Sequence, residues 1–100
     1  MKTKISKHSL EIGQLVYSTA GRDKGQYYLV YGLDDVKGMV LLVDGKRRGP
    51  ESPKRKNPLH LQKTNHKAED FRNKVLNHSI VTQKDINEFF KTFSVDCSVK

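Results

Sequence analysis

The chain has one cysteine, no tryptophan and three prolines in 100 residues. The lone Cys97 excludes an intramolecular disulfide and any zinc site built on several thiolates, and a free thiol suits a reducing compartment. No apolar run approaches the roughly 20 residues that a membrane-spanning helix needs, so no membrane partner is expected. The start, Met1-Lys-Thr-Lys-Ile-Ser-Lys-His8, is basic, but no apolar stretch follows it. It therefore lacks the pattern of a secretory signal, and the expectation is a cytoplasmic protein. Acidic residues are scarce as well: 11 against 19 Lys and Arg, a net charge of +8. That balance favours a polyanionic partner, nucleic acid before membrane.

Catalytic patterns are also missing. His8, His60, His66 and His78 show no metal-ligand spacing and have no cysteine companions, so no metal site is expected. No Gly-x-x-x-x-Gly-Lys-Ser/Thr phosphate loop is present, because Gly45-Lys46 lacks the upstream glycine and the following hydroxyl. Ser, His and Asp residues are not ordered into a nucleophilic triad, and Asp34-Asp35 reads as a solvated turn. The expectation is a non-catalytic protein without a cofactor.

What is present is uneven charge and a change of periodicity. Residues 1–57 hold 12 basic and 6 acidic residues; residues 58–100 hold 7 and 5. Residues 1–12 read as a flexible basic arm, with Leu10 and Ile12 anchoring its end. Residues 13–64 read as β. Tyr27, Leu29 and Tyr31 fall on one face of a strand and Tyr28 and Val30 on the other. Met39, Leu41 and Val43 alternate with Val40, Leu42 and Asp44, after a polar turn over 33–38. A last strand is expected over 59–62, with Leu59 and Leu61 on one face. Four short strands with glycine at the corners predict a small barrel. Most of the four tyrosines belong in its interior, although an exposed ring could stack on an unpaired base.

Residues 65–100 change to helical spacing: Ala68, Phe71, Arg72, Val75 and Leu76, then Ile86, Phe89, Phe90 and Phe93. Thr82 suits the N-cap of the second helix with Asp85 three residues on, and the end beyond Phe93 is expected to fray. The fold class is thus mainly β with two short C-terminal helices. The phenylalanines are read as core, with a protein-docking face as the sharper alternative.

Two basic segments stand out. In Gly21-Arg-Asp-Lys-Gly25, Gly21 and Gly25 permit a tight corner. Arg22 and Lys24 project from it toward any phosphate, and Asp23 is expected to cap the turn by accepting from the amides after it. Residues 45–58 contain all three prolines and six cations, Lys46, Arg47, Arg48, Lys54, Arg55 and Lys56, with one acid, Glu51, among them. Proline and glycine exclude regular structure there, so an exposed basic loop is expected, with affinity for phosphates that falls with salt.

The stretch Gly13-Gln-Leu-Val-Tyr-Ser-Thr-Ala-Gly-Arg-Asp-Lys-Gly-Gln-Tyr-Tyr28 resembles the KOW motif. Within that group the likeness is to the L14e-type ribosomal proteins and their bacterial KOW relatives. Val40-Leu-Leu-Val-Asp-Gly45 and Asn57-Pro-Leu-His-Leu61 match the family's later strands, so the resemblance spans residues 13–64. It implies an SH3-like barrel that binds ribosomal RNA or the ribosome. It also implies RNA contacts at Arg22, Lys24, Lys46, Arg47, Arg48, Lys54, Arg55 and Lys56, on a turn shaped by Gly21, Asp23 and Gly25. The alternative is an interaction adaptor whose protein partner docks on the barrel and the Phe-rich helices.

Overall fold

In the computed structural model, which describes residues 10–99 and the side chains of residues 10–92, five strands form one antiparallel sheet. They are β1 (Gln14–Ser18), β2 (Tyr27–Asp34), β3 (Met39–Val43), β4 (Lys54–Lys56) and β5 (Leu61–Lys67). Their spatial order is β4-β3-β2-β1-β5. Two helices follow, α1 (Glu69–Leu76) and α2 (Gln83–Val99). The protein is therefore mainly β with C-terminal helices, compatible with a small barrel-like domain whose sheet stays open between β4 and β5.

The alternation in the sequence decides which side chains enter which core. Val16, Tyr28, Val30, Val40 and Leu42 gather on one face with Leu10, the buried end of the basic segment. Residues 1–9 of the expected arm lie outside the described residues. Leu15, Leu29 and Val43 occupy the other face, where Ala68, Phe71 and Ile86 cover them. Tyr27, Tyr31, Phe89 and Phe90 border that second core, and the Tyr31 and Phe71 rings lie 6.1 Å apart. Side chains on both faces of the sheet are thus buried, and helix residues cover the Leu15–Leu29–Val43 face. Phe71 is part of this core and Phe89 and Phe90 pack against it; the Phe93 side chain lies outside the described ones.

Two departures from the sequence reading have physical causes. Lys54-Arg55-Lys56, expected in an irregular loop, is a short edge strand paired to β3, with Leu42 opposite Lys54 and Val40 opposite Lys56. Residues 59–62 are not one strand. Pro58–His60 is a single 3-10 turn, started by Asn57, whose side-chain oxygen accepts from Leu59 N at 2.9 Å. Leu59 is therefore exposed, while Leu61 opens β5. That strand runs past position 64 to Lys67 because it pairs with β1 across a bulge between Gln14 and Val16. There the Leu15 carbonyl, left out of the ladder, accepts from Thr64 Oγ1 at 2.8 Å, as a buried carbonyl requires.

The start of α2 follows the sequence. Thr82 N donates to Asp85 Oδ2 at 3.0 Å and Asp85 N to Thr82 Oγ1 at 3.3 Å, a reciprocal cap. Lys74 of α1 donates to the same Asp85 at 2.9 Å, tying the two helices. That bond and the Thr82 amide hold the Asp85 carboxyl below its usual range. The helix continues to Val99, beyond the expected end at Phe93. Gly13 connects the layers: at φ +89° it lets the backbone pass α1 so closely that a Cβ would sit 2.7 Å from Arg72 Cβ.

Truncating the helix layer tests this packing. Phe71→Ala should cost about 3–5 kcal/mol, read as a lowered urea midpoint. Ile80→Ala, at a position 84% exposed, should change stability by less than about 0.5 kcal/mol.

Candidate nucleic-acid interface

The turn between β1 and β2 is a hydrogen-bonded corner. Gly25 N donates to Ser18 O at 2.8 Å, and Gln26 N to Asp23 O at 2.8 Å. Gly21 and Gly25 both take φ near +90°, the left-handed region that glycine enters without strain. Arg22 and Lys24 are exposed at its tip.

Asp23 does not cap this turn as the sequence suggested; its carboxylate is turned inward. Oδ2 accepts from the Tyr28 hydroxyl at 2.7 Å, Oδ1 accepts from Lys56 Nζ at 3.0 Å, and Ser18 Oγ lies 2.8 Å from Oδ1. Lys56 Nζ also donates to Ala20 O at 3.2 Å, and Lys54 Nζ lies 3.7 Å from Asp23 Oδ2. Lys54 and Lys56 share one face of β4 by the period-2 rule. From there both reach across to the β1–β2 turn. An ion pair thus joins the edge strand β4 to the far turn, across sheet positions that no backbone ladder connects.

Burial opposes ionisation of Asp23, but hydrogen bonds from Tyr28, Lys56 and Ser18 outweigh it and hold the carboxyl well below the usual range. Burial, followed by the bond to Asp23, holds the Tyr28 hydroxyl well above the usual phenol range, so Tyr28 stays a donor. Lys56 keeps only 11% of its side chain exposed, and its charge is spent inside the protein.

The second turn follows β3. Asp44 is buried, and its Oδ1 accepts from the amides of Lys46, Arg47 and Arg48 at 2.9, 2.8 and 2.9 Å. Asp44 N donates to Arg48 O at 2.8 Å. One carboxylate therefore folds the residues 45–48 into a fixed loop and leaves three cationic side chains exposed. Helix α2 fastens the loop from below: Gln83 Nε2 donates to the Asp44 carbonyl at 2.9 Å, and Gly45 packs on Phe90.

Of the eight cations singled out in the sequence, Arg22, Lys24, Lys46, Arg47 and Arg48 are exposed and carry no ion pair among the described residues. Lys54 and Lys56 bind Asp23, and Arg55 lies 3.5 Å from Asp34 on the opposite face of β4. The two turns meet: Gly25–Tyr27 and Asp44–Lys46 line a single cavity. Sequence reasoning missed both inward-facing aspartates. The available signal was an acid inside the first basic segment, Asp23, and one directly before the second, Asp44, where repulsion among cations makes a buried counter-charge useful. No group of three or more His, Cys, Asp or Glu among the described residues could hold a metal ion.

Removing the Asp23 charge should be costly and pH-dependent. Asp23→Asn should lower stability at pH 7 by about 2–3 kcal/mol, less than the roughly 3–5 of a fully buried broken pair because solvent reaches its edge. The native carboxyl titrates below its unfolded value of about 4. Its contribution is therefore complete above that pH and is lost as pH falls further. Urea titrations of the two proteins should converge below about pH 4; parallel curves down to acid unfolding would contradict the pairing.

No protein-family model matches the chain, and no curated protein is significantly similar to it.

Proposed function

We propose that this protein is a non-catalytic RNA-binding protein that associates with ribosomal RNA or the ribosome through its two basic turns. The observation that carries the reading is the exposure of Arg22, Lys24, Lys46, Arg47 and Arg48 on two turns that border one cavity and are fixed from inside by Asp23 and Asp44. Exposed cations on rigid supports hold phosphates with little ordering cost, whereas the same charges on a floppy tail must be immobilised on binding. Arginine adds bidentate phosphate geometry. Contacts of this kind position an RNA by backbone and shape rather than by sequence. The likeness of residues 13–64 to KOW proteins of the L14e type points the RNA toward the ribosome.

Lys54 and Lys56 take a different part in this reading from the outer five. They hold the β1–β2 turn against β4, and their loss acts through geometry. The adaptor alternative is less favoured because Phe71 is buried and Phe89 and Phe90 are already half-buried against the same core.

Co-sedimentation with ribosomal subunits across a salt series checks the proposal. If all five outer cations reach phosphates, the logarithm of the binding constant should fall with log salt at a slope of about −3.5 to −4.5. The triple variant Arg22→Ala, Arg47→Ala, Arg48→Ala should flatten that slope by about 2–3. Binding that persists unchanged in high salt and in the variant would point to an apolar protein contact instead.

A further inference from the structure

Between the two basic turns lies a cavity of about 300 Å³. Tyr27 and Phe90, both half-buried, supply its aromatic walls; Gly25, Gln26, Asp44, Gly45 and Lys46 supply the rest. Its size is at the lower end of small-ligand sites, about 300–1,000 Å³, which suits one flat ring system better than a folded peptide. Each aromatic wall is braced by a second ring. Tyr17 meets Tyr27 edge-on with centroids 5.6 Å apart, and Phe89 meets Phe90 in the same manner at 5.6 Å. Gly45 brings the backbone against Phe90, since a Cβ there would lie 3.5 Å from that ring. At Gly25 a Cβ would meet nothing within 4 Å, so that side faces open space.

Resting on the RNA-binding reading, we infer that this cavity takes one unpaired nucleobase. A strand held by its phosphates on Arg22 and Lys24 at one turn and on Lys46 and Arg47 at the other passes over the cavity. A base turned out of that strand meets the aromatic walls, and Lys46 at the rim faces its flanking phosphate. Stacking of this kind tolerates any base, because every base has a π-face. Lys46 at the rim and the exposed cations of both turns disfavour a basic peptide as occupant, and an acidic peptide is the competitor that the test includes. The site also gives α2 a function: it carries Phe90 to the basic turns.

The test uses the full chain and two probes, a short uridine-rich single-stranded RNA and the same RNA with one nucleotide made abasic but its phosphate kept. Affinity is read by fluorescence anisotropy. At one position the abasic change should weaken binding about 5- to 150-fold, the usual worth of a stacked base. 4-Thiouridine at that position should cross-link to Tyr27 or Phe90. Tyr27→Leu should reproduce the loss and Tyr27→Phe should not, with thermal midpoints confirming that both variants are folded. Salt-sensitive RNA binding with no abasic effect and cross-links elsewhere would overturn the base site while leaving phosphate binding intact. No binding of either RNA at low salt would overturn both. A polyglutamate peptide that binds the native chain but not Tyr27→Leu, with RNA binding unaffected, would assign the cavity to an acidic peptide and overturn the base.

Discussion

The ion pair between Asp23 and Lys56, backed by Tyr28 and Ser18, is the constraint on which the arrangement depends. The sheet is open, and its two edge strands share no ladder. β4 is only three residues long and contributes no apolar side chain. Backbone pairing to β3 alone is a weak hold for so short a strand. The Asp23 carboxylate draws Lys54 and Lys56 across to the β1–β2 turn and fixes that turn in the same act. It also relieves repulsion between Lys54 and Lys56, which both reach it. A charge buried at this cost persists because each oxygen is met by donors.

Asp44 solves a parallel problem at the neighbouring turn by a different route. Its carboxylate engages backbone amides rather than a lysine, so the side chains of Lys46, Arg47 and Arg48 stay outside. Helix α2 locks the loop through Gln83 and Phe90. The helices are thus part of the same device as the barrel-like sheet: they cover the Leu15–Leu29–Val43 face and set the height of the second basic turn. Both turns present cations outward because an acid works inward.

Much of the sheet was legible in the sequence because alternation is a local signal. Tyr28 and Val30 parted from Tyr27, Leu29 and Tyr31 as period two requires, and the Thr82–Asp85 cap marked α2 by spacing alone. β4 was not legible, since Lys54-Arg55-Lys56 has no hydrophobic pattern and becomes a strand only by a partner distant in sequence. Leu59 misled for the opposite reason: it is apolar, but Pro58 and the Asn57 cap set a 3-10 turn that turns it to solvent. The candidate site was half legible. Arg22, Lys24 and Lys46–Arg48 could be picked out as cations near glycines. That Lys56 is spent on Asp23 could not be, because the partners are 33 positions apart and neither turn type nor composition records the contact.

We propose that the geometry set by Asp23, rather than positive charge as such, makes the surface suited to RNA. Measuring the RNA affinity of Asp23→Asn beside the native chain, at a temperature where both are folded, separates the two. The substitution removes a negative charge and makes the basic surface more positive. If geometry governs, affinity falls despite the added charge, because the β1–β2 turn is no longer held against β4. If affinity rises or stays level with the fold intact, charge alone governs and the Asp23 geometry does not.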